Sequence, residues 1–195
     1  MSPSPKSFPR PTRHAPRGRL PGILVGRKIG APRNPLSQAF SEAQVATALI
    51  VYRSHTGVTR RYGEAIAAHL TGRGIDAKVV SVGECDLESL ASVDYLLLGC
   101  WTSGLFVVGQ HPDGPWLSFV RQMPAIGDSA AGETAGTTAA PKVALFTTYQ
   151  LRTGSQFPKM RAALKGKAPS PTLELKSRNG RLTDHDKSRL NDFLA

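Results

Sequence analysis

Five apolar or alternating runs, each followed by a stretch with helical spacing, limit the fold of this chain most strongly. The run 93–100 is apolar at nearly every position, which is typical of a strand buried on both faces. Runs of similar length lie at 48–52, 77–82 and 142–147, and 172–176 alternates as an edge strand does. Repeated strand–helix alternation predicts an α/β fold with a doubly wound, five-stranded parallel sheet and helices on both faces.

The helix patterns are marked by apolar stripes and capping residues. After the first run, Ile66 and Leu70 fall on one stripe of a helix, while the segment 86–90 can form only a short helix. Thr183 has the acidic residue Asp186 three positions later, which is the spacing of a capping box. We therefore expect the last helix to begin just after Thr183.

The first 44 residues form a basic, proline-rich segment. Residues 1–41 hold eight of the 25 lysines and arginines and no acidic residue, so they contribute +8 to the formal net charge of +11. They also hold eight of the 15 prolines, and their apolar residues show no period. We expect residues 1–44 to be a disordered tail and residues 45–195 to form one domain. A leader without function, a targeting segment and a weak polyanion contact remain open for this tail.

Several function classes lack their characteristic residues. Cys85 and Cys100 stand fifteen positions apart with no CxxC or histidine-paired spacing, so two reduced thiols in a cytoplasmic protein are expected, and no metal. No Ser-His-Asp or paired-carboxylate pattern indicates a hydrolase. No apolar run is long enough to span a membrane, and no aromatic residues are interleaved with the basic ones as nucleic-acid binding would favour.

The loop after the first strand has the composition of a phosphate site. Ser54, Thr56 and Thr59 supply hydroxyls, and backbone N–H groups at a helix N-terminus attract an anion. Gly57 allows the backbone to approach the ligand closely. The alternative is an ordinary capped turn, which would need one hydroxyl rather than three. Neither GxGxxG nor GxxxxGK[ST] occurs, which disfavours a dinucleotide fold and a nucleoside triphosphatase.

The segment 49–59, Leu-Ile-Val-Tyr-Arg-Ser-His-Thr-Gly-Val-Thr, resembles the signature of the flavodoxin family. In that family an apolar strand runs into a Ser/Thr-x-Thr-Gly-x-Thr loop. The resemblance covers residues 46–195, lacks the fifth-strand insertion of long-chain flavodoxins, and implies a sheet of order 2-1-3-4-5 with FMN as cofactor. It also implies that the FMN phosphate is wrapped by six consecutive residues: Ser54, His55, Thr56, Gly57, Val58 and Thr59. Gly63, where the family usually has alanine, and the basic flank of Arg53, Arg60 and Arg61 depart from the pattern.

The same resemblance assigns two further loops to the flavin ring. The residues concerned are Trp101, Thr102, Ser103 and Gly104 after the third strand, and Thr148, Tyr149 and Gly154 after the fourth. Trp101 either stacks on the flavin or turns inward. Tyr149 either covers the other flavin face or packs on the rim of the sheet. Arg152 would place a cation near the pyrimidine end of the ring, which favours the anionic reduced flavin.

Three functions are compatible with these features. The first is an electron carrier in which FMN exchanges electrons with redox partner proteins. The second is an FMN-dependent oxidoreductase that uses NADH or NADPH to reduce a quinone or another small acceptor, with Trp101 and residues 105–107 lining the substrate pocket. The third is a binding module that has lost its flavin. The hydroxyls and the glycine of the first loop favour the flavin functions over the third.

Overall fold

The described strands form one parallel sheet of five strands. The computed structural model describes residues 45–104, 109–127 and 140–195, all within the compact unit Ala43–Ala195. The strands are β1 (Thr47–Arg53), β2 (Asp76–Ser81), β3 (Tyr95–Trp101), β4 (Lys142–Thr148) and β5 (Leu173–Ser177). They pair in the order β2-β1-β3-β4-β5, all parallel. The predicted fold class and strand order are therefore confirmed.

Four α-helices and one short 3₁₀ helix connect the strands. They are α1 (Val58–Thr71), α2 (Gly114–Gln122), α3 (Gln156–Leu164) and α4 (Asp184–Leu194), with the 3₁₀ helix at Glu88–Ala91 between β2 and β3. The short helix predicted at 86–90 is thus present as this 3₁₀ helix and starts two residues later, because Asp86 accepts hydrogen bonds from the Glu88 N–H and the Ser89 hydroxyl. The other predicted elements differ from the observed ones by one or two residues at their ends.

Alternate residues of each central strand point to opposite faces of the sheet and build two cores. Leu96 and Leu98 join the core that contains Trp116 of α2 and Met160 of α3. Leu97, between them, joins the core on the other face, with α1 and α4. This division explains why β3 reads as one continuous apolar run: both of its faces are covered.

The caps and stripes predicted for the helices are present. The Thr183 hydroxyl accepts from Asp186 N–H, and the Asp186 carboxylate accepts from Thr183 N–H, which completes the capping box of α4. Ile66 and Leu70 of α1 are fully buried. Ile66 and Leu70 share one core with Leu190 and Phe193 of α4, so α1 and α4 pack on the same face of the sheet.

Some expectations concern residues that the structure does not describe. The predicted tail 1–44, residues 105–107 of the third-strand loop and most of the low-complexity stretch 125–141 lie outside the described residues. Within the described ranges, no helix is long and apolar enough to cross a bilayer, and no cluster of three or more His, Cys, Asp or Glu side chains could hold a metal ion.

Candidate functional site

A cavity of about 770 Å³ opens at the carboxyl ends of β1, β3, β4 and β5. This edge of the sheet includes the point where the strand order reverses between β1 and β3, the usual ligand position in open α/β sheets. Its lining residues come from the loops that follow these four strands: His55, Thr56, Val58, Trp101, Thr102, Gly104, Gln110, Thr148, Tyr149, Gln150, Leu151, Arg152 and Arg178.

The loop between β1 and α1 leaves polar groups without partners. Gly57 is the N-cap of α1 in the left-handed conformation, with φ of 81° and no side-chain cap. The first backbone hydrogen bond of the helix runs from Arg61 N–H to Gly57 O, so the three preceding amide groups are available to a ligand. The Ser54 hydroxyl oxygen is buried with no hydrogen-bond partner among the described residues. These groups suit a phosphate, which accepts several hydrogen bonds and carries the charge that a helix N-terminus favours.

Thr59 occupies a different environment from the other two hydroxyl residues of this loop. It is fully buried, and its Oγ1 lies 2.7 Å from Thr148 Oγ1 at the end of β4. Thr56, in contrast, is exposed at the cavity. The Thr59 hydroxyl therefore joins the first turn of α1 to the end of β4.

Trp101, the last residue of β3, is half-buried in the cavity wall. Its indole N–H donates to Asp113 Oδ2 at 2.9 Å. Its ring stacks on His55, with centroids 5.2 Å apart and planes 25° from parallel. The indole is thus held between the loops that follow β1 and β3, where it lines the cavity and also packs against the core.

Asp113 holds this wall together. Besides Trp101, its carboxylate accepts from Arg53 Nε at 2.7 Å and from Trp116 N–H at 3.2 Å, so it also caps α2. Its side chain is 9% exposed and that of Arg53 33%. The one acidic residue of the β3–α2 loop is therefore paired with a cation and does not give the cavity a negative charge.

The two described ends of the β3–α2 loop lie close together. Ser103 and His111 form an antiparallel bridge with two backbone hydrogen bonds. Gly104 has φ of 98°, and a Cβ there would lie 2.4 Å from Gly109 O, so only glycine fits this close approach. Ser103 itself does not line the cavity, while Gly104 does.

The loop after β4 is tied to its neighbours on both sides. Tyr149, half-buried, donates its N–H to Ser177 O at the end of β5. Gln110 Nε2 donates to Arg152 O, and the Ser155 hydroxyl donates to Gln110 O. Gly154 adopts φ of 44° just before α3 and stays outside the cavity. These bonds fix the cavity wall opposite His55.

The structure brings most of the predicted ligand residues to one cavity. His55, Thr56, Val58, Trp101, Thr102, Gly104, Thr148 and Tyr149 line it. Ser54, Gly57, Thr59, Ser103 and Gly154 lie in the same loops but outside its lining. Gln110, Gln150, Leu151 and Arg178 line it without having been predicted. Arg178 carried a usable signal, because it directly follows β5 and the carboxyl ends of parallel strands share one edge. Gln150 and Leu151 carried the same signal, since they lie between Tyr149 and Arg152 in the loop after β4. Gln110, nine residues after β3, has no such signal.

Both cysteines are free thiols of low reactivity. Burial raises the pKa of Cys85 to about 11. Burial also raises the pKa of Cys100, which is fully buried and lies 3.6 Å from Asp113 Oδ1. A thiol that stays protonated at neutral pH is a poor nucleophile, so the chemistry of this site does not depend on a cysteine.

Comparison with known proteins gives one family. The family model described as Flavodoxin matches residues 50–167. That range begins in β1 and includes the loops after β1, β3 and β4, so it spans three of the four strand ends that form the cavity.

Solved structures show the same fold. The solution structure of two-electron reduced Megasphaera elsdenii flavodoxin is 20% identical, with 75% of this chain and 96% of that chain covered and a TM-score of 0.54. Oxidised flavodoxin 2 from Bacillus cereus is 22% identical, with 76% and 94% covered and a TM-score of 0.52. Rubredoxin oxygen:oxidoreductase from Desulfovibrio gigas is 13% identical, with 77% of this chain but 35% of that chain covered and a TM-score of 0.50.

Proposed function

This chain belongs to the flavodoxin family, and from that premise we propose that it binds FMN at the cavity and passes electrons between redox partner proteins. The observation that carries the proposal is the open N-terminus of α1, where Gly57 leaves three amide groups that have no partner among the described residues, beside a cavity of about 770 Å³. When bound, FMN supplies the redox chemistry, and the protein supplies binding, orientation and electrostatics.

The first loop is assigned to the phosphate. Ser54 has a buried hydroxyl that lacks a partner in the described part of the chain, and Thr56 offers a second hydroxyl at the cavity. Gly57 provides the turn, and residues 58–60 provide the amide groups. Thr59 supports this loop through Thr148, since its hydroxyl is already bonded there. His55 and Val58 complete the wall.

The second and third loops are assigned to the flavin ring. Trp101 and Tyr149 are the aromatic residues from these loops that line the cavity, and aromatic faces pack favourably on a flat ring. Thr102, Ser103, Gly104 and Thr148 would supply polar and backbone contacts to its edge, and Gly154 would shape the turn before α3. Arg152 places a positive charge on the lining, which favours a negatively charged reduced ring.

Titration of the flavin-free protein with FMN and with riboflavin tests the phosphate assignment. We expect FMN to bind at least about tenfold more tightly than riboflavin, because only FMN presents a charged group to the helix N-terminus. Thr56→Val should reduce the difference in affinity between FMN and riboflavin. Thr71→Val, an equally exposed threonine at the other end of α1, is the matched control and should leave it unchanged. Equal binding of the two flavins would contradict the proposal.

An FMN-dependent oxidoreductase is the second candidate. Leu151 lines the cavity and is 80% exposed, and an apolar residue at a cavity mouth suits a small organic acceptor. The Desulfovibrio gigas oxidoreductase also contains this fold within a longer chain. Steady-state turnover of NADH or NADPH with a quinone, in the absence of any partner protein, would favour this function over the electron carrier.

A cytoplasmic location forms part of the proposal. Its support is the pair of free cysteines, since intracellular thiols are kept reduced.

A further inference from the structure

Four exposed arginines line this cavity or a second cavity beside it. None of the four has an ion-pair partner in the described part of the chain. Arg152 and Arg178 line the cavity described above. Arg61 and Arg181 line a second, open cavity of about 650 Å³ between α1 and the β5–α4 loop. We call these four residues the basic rim. The ion pairs of the described residues involve other arginines, namely Arg53, Arg60 and Arg161.

The two cavities share a wall, so the basic rim is one surface. Val58 lines the first cavity and Gly180 the second. A Cβ at position 180 would lie 2.7 Å from the Val58 carbonyl oxygen and 3.4 Å from Arg61 Cβ. Arg178 and Arg181 therefore lie in the same short loop, and each lines one of the two neighbouring cavities. Arg61 lies one helical turn from Val58.

Carboxylates that could neutralise the basic rim are missing from the adjacent loops. The loops 54–57, 149–155 and 178–183 contain no Asp or Glu, and the loop 102–113 contains only Asp113, which is paired with Arg53. Carboxylates do stand on the flanking helices, but they have other partners: Asp184 pairs with Lys187 and Glu64 with Arg60, and Asp186 closes the capping box of α4. The acidic residues Glu84 and Asp86 follow β2, which lies at the opposite edge of the sheet from β5. The positive charge is thus concentrated on the β5 side of the cavity.

We propose that the basic rim is the docking surface for an acidic redox protein, which it orients beside the flavin cavity. This inference rests on the proposed electron-carrier function and adds the charge of the partner. Exposed arginines next to the apolar side chain of Leu151 are typical of a protein interface, in which arginine is enriched around an apolar centre. Unpaired surface charges of one sign also steer an oppositely charged partner during encounter.

The test measures binding by calorimetry with two probe proteins, an acidic plant-type ferredoxin and a basic cytochrome c. We expect the ferredoxin to bind the full-length protein at about 20 mM salt, to bind at least tenfold more weakly at about 300 mM salt, and to bind more tightly than cytochrome c under both conditions. Equal affinity for the two probes, or a preference for cytochrome c, would overturn the proposal.

The variant Arg61→Glu/Arg181→Glu separates the basic rim from the total charge of the chain. It should weaken ferredoxin binding by about tenfold or more at low salt. Arg73→Glu/Lys165→Glu changes the net charge equally, but on exposed residues that follow the C-terminal ends of α1 and α3. This control should bind ferredoxin as the unaltered protein does, and equal weakening by both variants would show that only overall charge matters and would overturn the assignment.

Two further readouts keep the alternatives apart. FMN affinity should be unchanged in Arg181→Glu alone, because Arg181 lines only the second cavity, whereas Arg61→Glu also adds a negative charge at the start of α1, where the phosphate is proposed to bind. Failure of the unaltered protein to bind FMN would contradict the proposed function, while ferredoxin binding still tests the docking surface. Tighter binding of polyuridylate than of ferredoxin, lost in Arg61→Glu/Arg181→Glu, would assign the basic rim to nucleic acid and overturn the proposal.

Discussion

Gly57 shows how one residue can serve the site through its backbone alone. Its φ of 81° is costly for any residue with a Cβ, although the space around it is empty. Gly57→Ala should therefore lower the free energy of unfolding by about 1 kcal/mol and also weaken FMN binding, because relaxation of φ moves the amide groups at the start of α1. Urea unfolding and FMN titration measure the two effects.

Gly74 provides the matched control at the other end of α1. It has the same φ of 81° and the same open surroundings, so Gly74→Ala should cost about 1 kcal/mol of stability as well. Gly74 lies far from the cavity, so Gly74→Ala should bind FMN as tightly as the unaltered protein does. If both variants bind FMN equally well, the helix N-terminus does not hold the phosphate.

The sequence could not distinguish the roles of the three hydroxyls in the first loop. Ser54, Thr56 and Thr59 look equivalent in the sequence, and the motif indicates one role for all three. In the structure they differ, since the Ser54 hydroxyl is buried without a described partner, Thr56 is exposed and Thr59 bonds Thr148. The partner of Thr59 is 89 positions away, and only the assembled sheet brings β4 to the start of α1.

At the level of elements, the register of β3 against β4 depends on Gly99. It is paired with Phe146, and a Cβ at position 99 would lie 2.0 Å from Phe146 Cζ. Because Phe146 is fully buried and core side chains are close-packed, Gly99→Ala should destabilise the protein by about 1–3 kcal/mol. Thermal or urea unfolding, followed by tryptophan fluorescence, measures the loss.

A double variant shows whether the ring is the cause. Phe146→Leu alone removes buried contacts and should cost about 1–3 kcal/mol. Combined with Gly99→Ala it should cost less than the sum of the two single changes, because the shorter side chain leaves room for the new methyl group. Strict additivity would mean that the Phe146 ring is not what excludes a side chain at position 99.

The elements were more predictable than the contacts between them. Apolar runs such as the one at β3 have few alternatives to a buried strand, and the capping box at Thr183 fixes the start of α4. The segment after β2 was less determined, because Asp86 bonds forward to the backbone and turns the chain into a 3₁₀ helix. Local hydrogen bonds of this kind compete with helix formation and are weakly encoded in apolar spacing.

For the molecule as a whole, the sequence predicted which loops meet but not the charge of the site they form. Parallel strands end at one edge, so loops after β1, β3 and β4 had to adjoin. Asp113 is the one acidic residue of the loop after β3, yet β1 supplies Arg53 as its partner. Arg178 joins the lining because β5 pairs with β4. The net charge at the cavity is therefore a tertiary property, set by pairs of residues that are distant in sequence.

The free energy of unfolding of the whole protein should fall at alkaline pH, because burial raises the pKa of one tyrosine and two cysteines. Burial raises the pKa of Tyr62, with the negative charge of Asp186 adding to it, and burial also raises the pKa of Cys85, to about 11, and of Cys100. Above about pH 9 the unfolded chain loses these protons while the folded chain keeps them. The unfolded state then binds fewer protons, so the free energy of unfolding decreases as pH rises. Each such group contributes at most about 1.4 kcal/mol per pH unit.

Tyr62→Phe isolates one of these contributions. The Tyr62 hydroxyl is buried with no hydrogen-bond partner among the described residues, so its removal should be neutral or slightly stabilising at pH 7. Above pH 10 the variant should lose stability less steeply than the unaltered protein, and Cys85→Ser should do the same between about pH 9 and 11. Urea unfolding at pH 7, 9, 10 and 11 measures the slopes. The variants change only the tyrosine and the thiol. If the free energy of unfolding falls equally with pH in all three proteins, lysine and arginine titration governs the loss of stability rather than Tyr62 and Cys85.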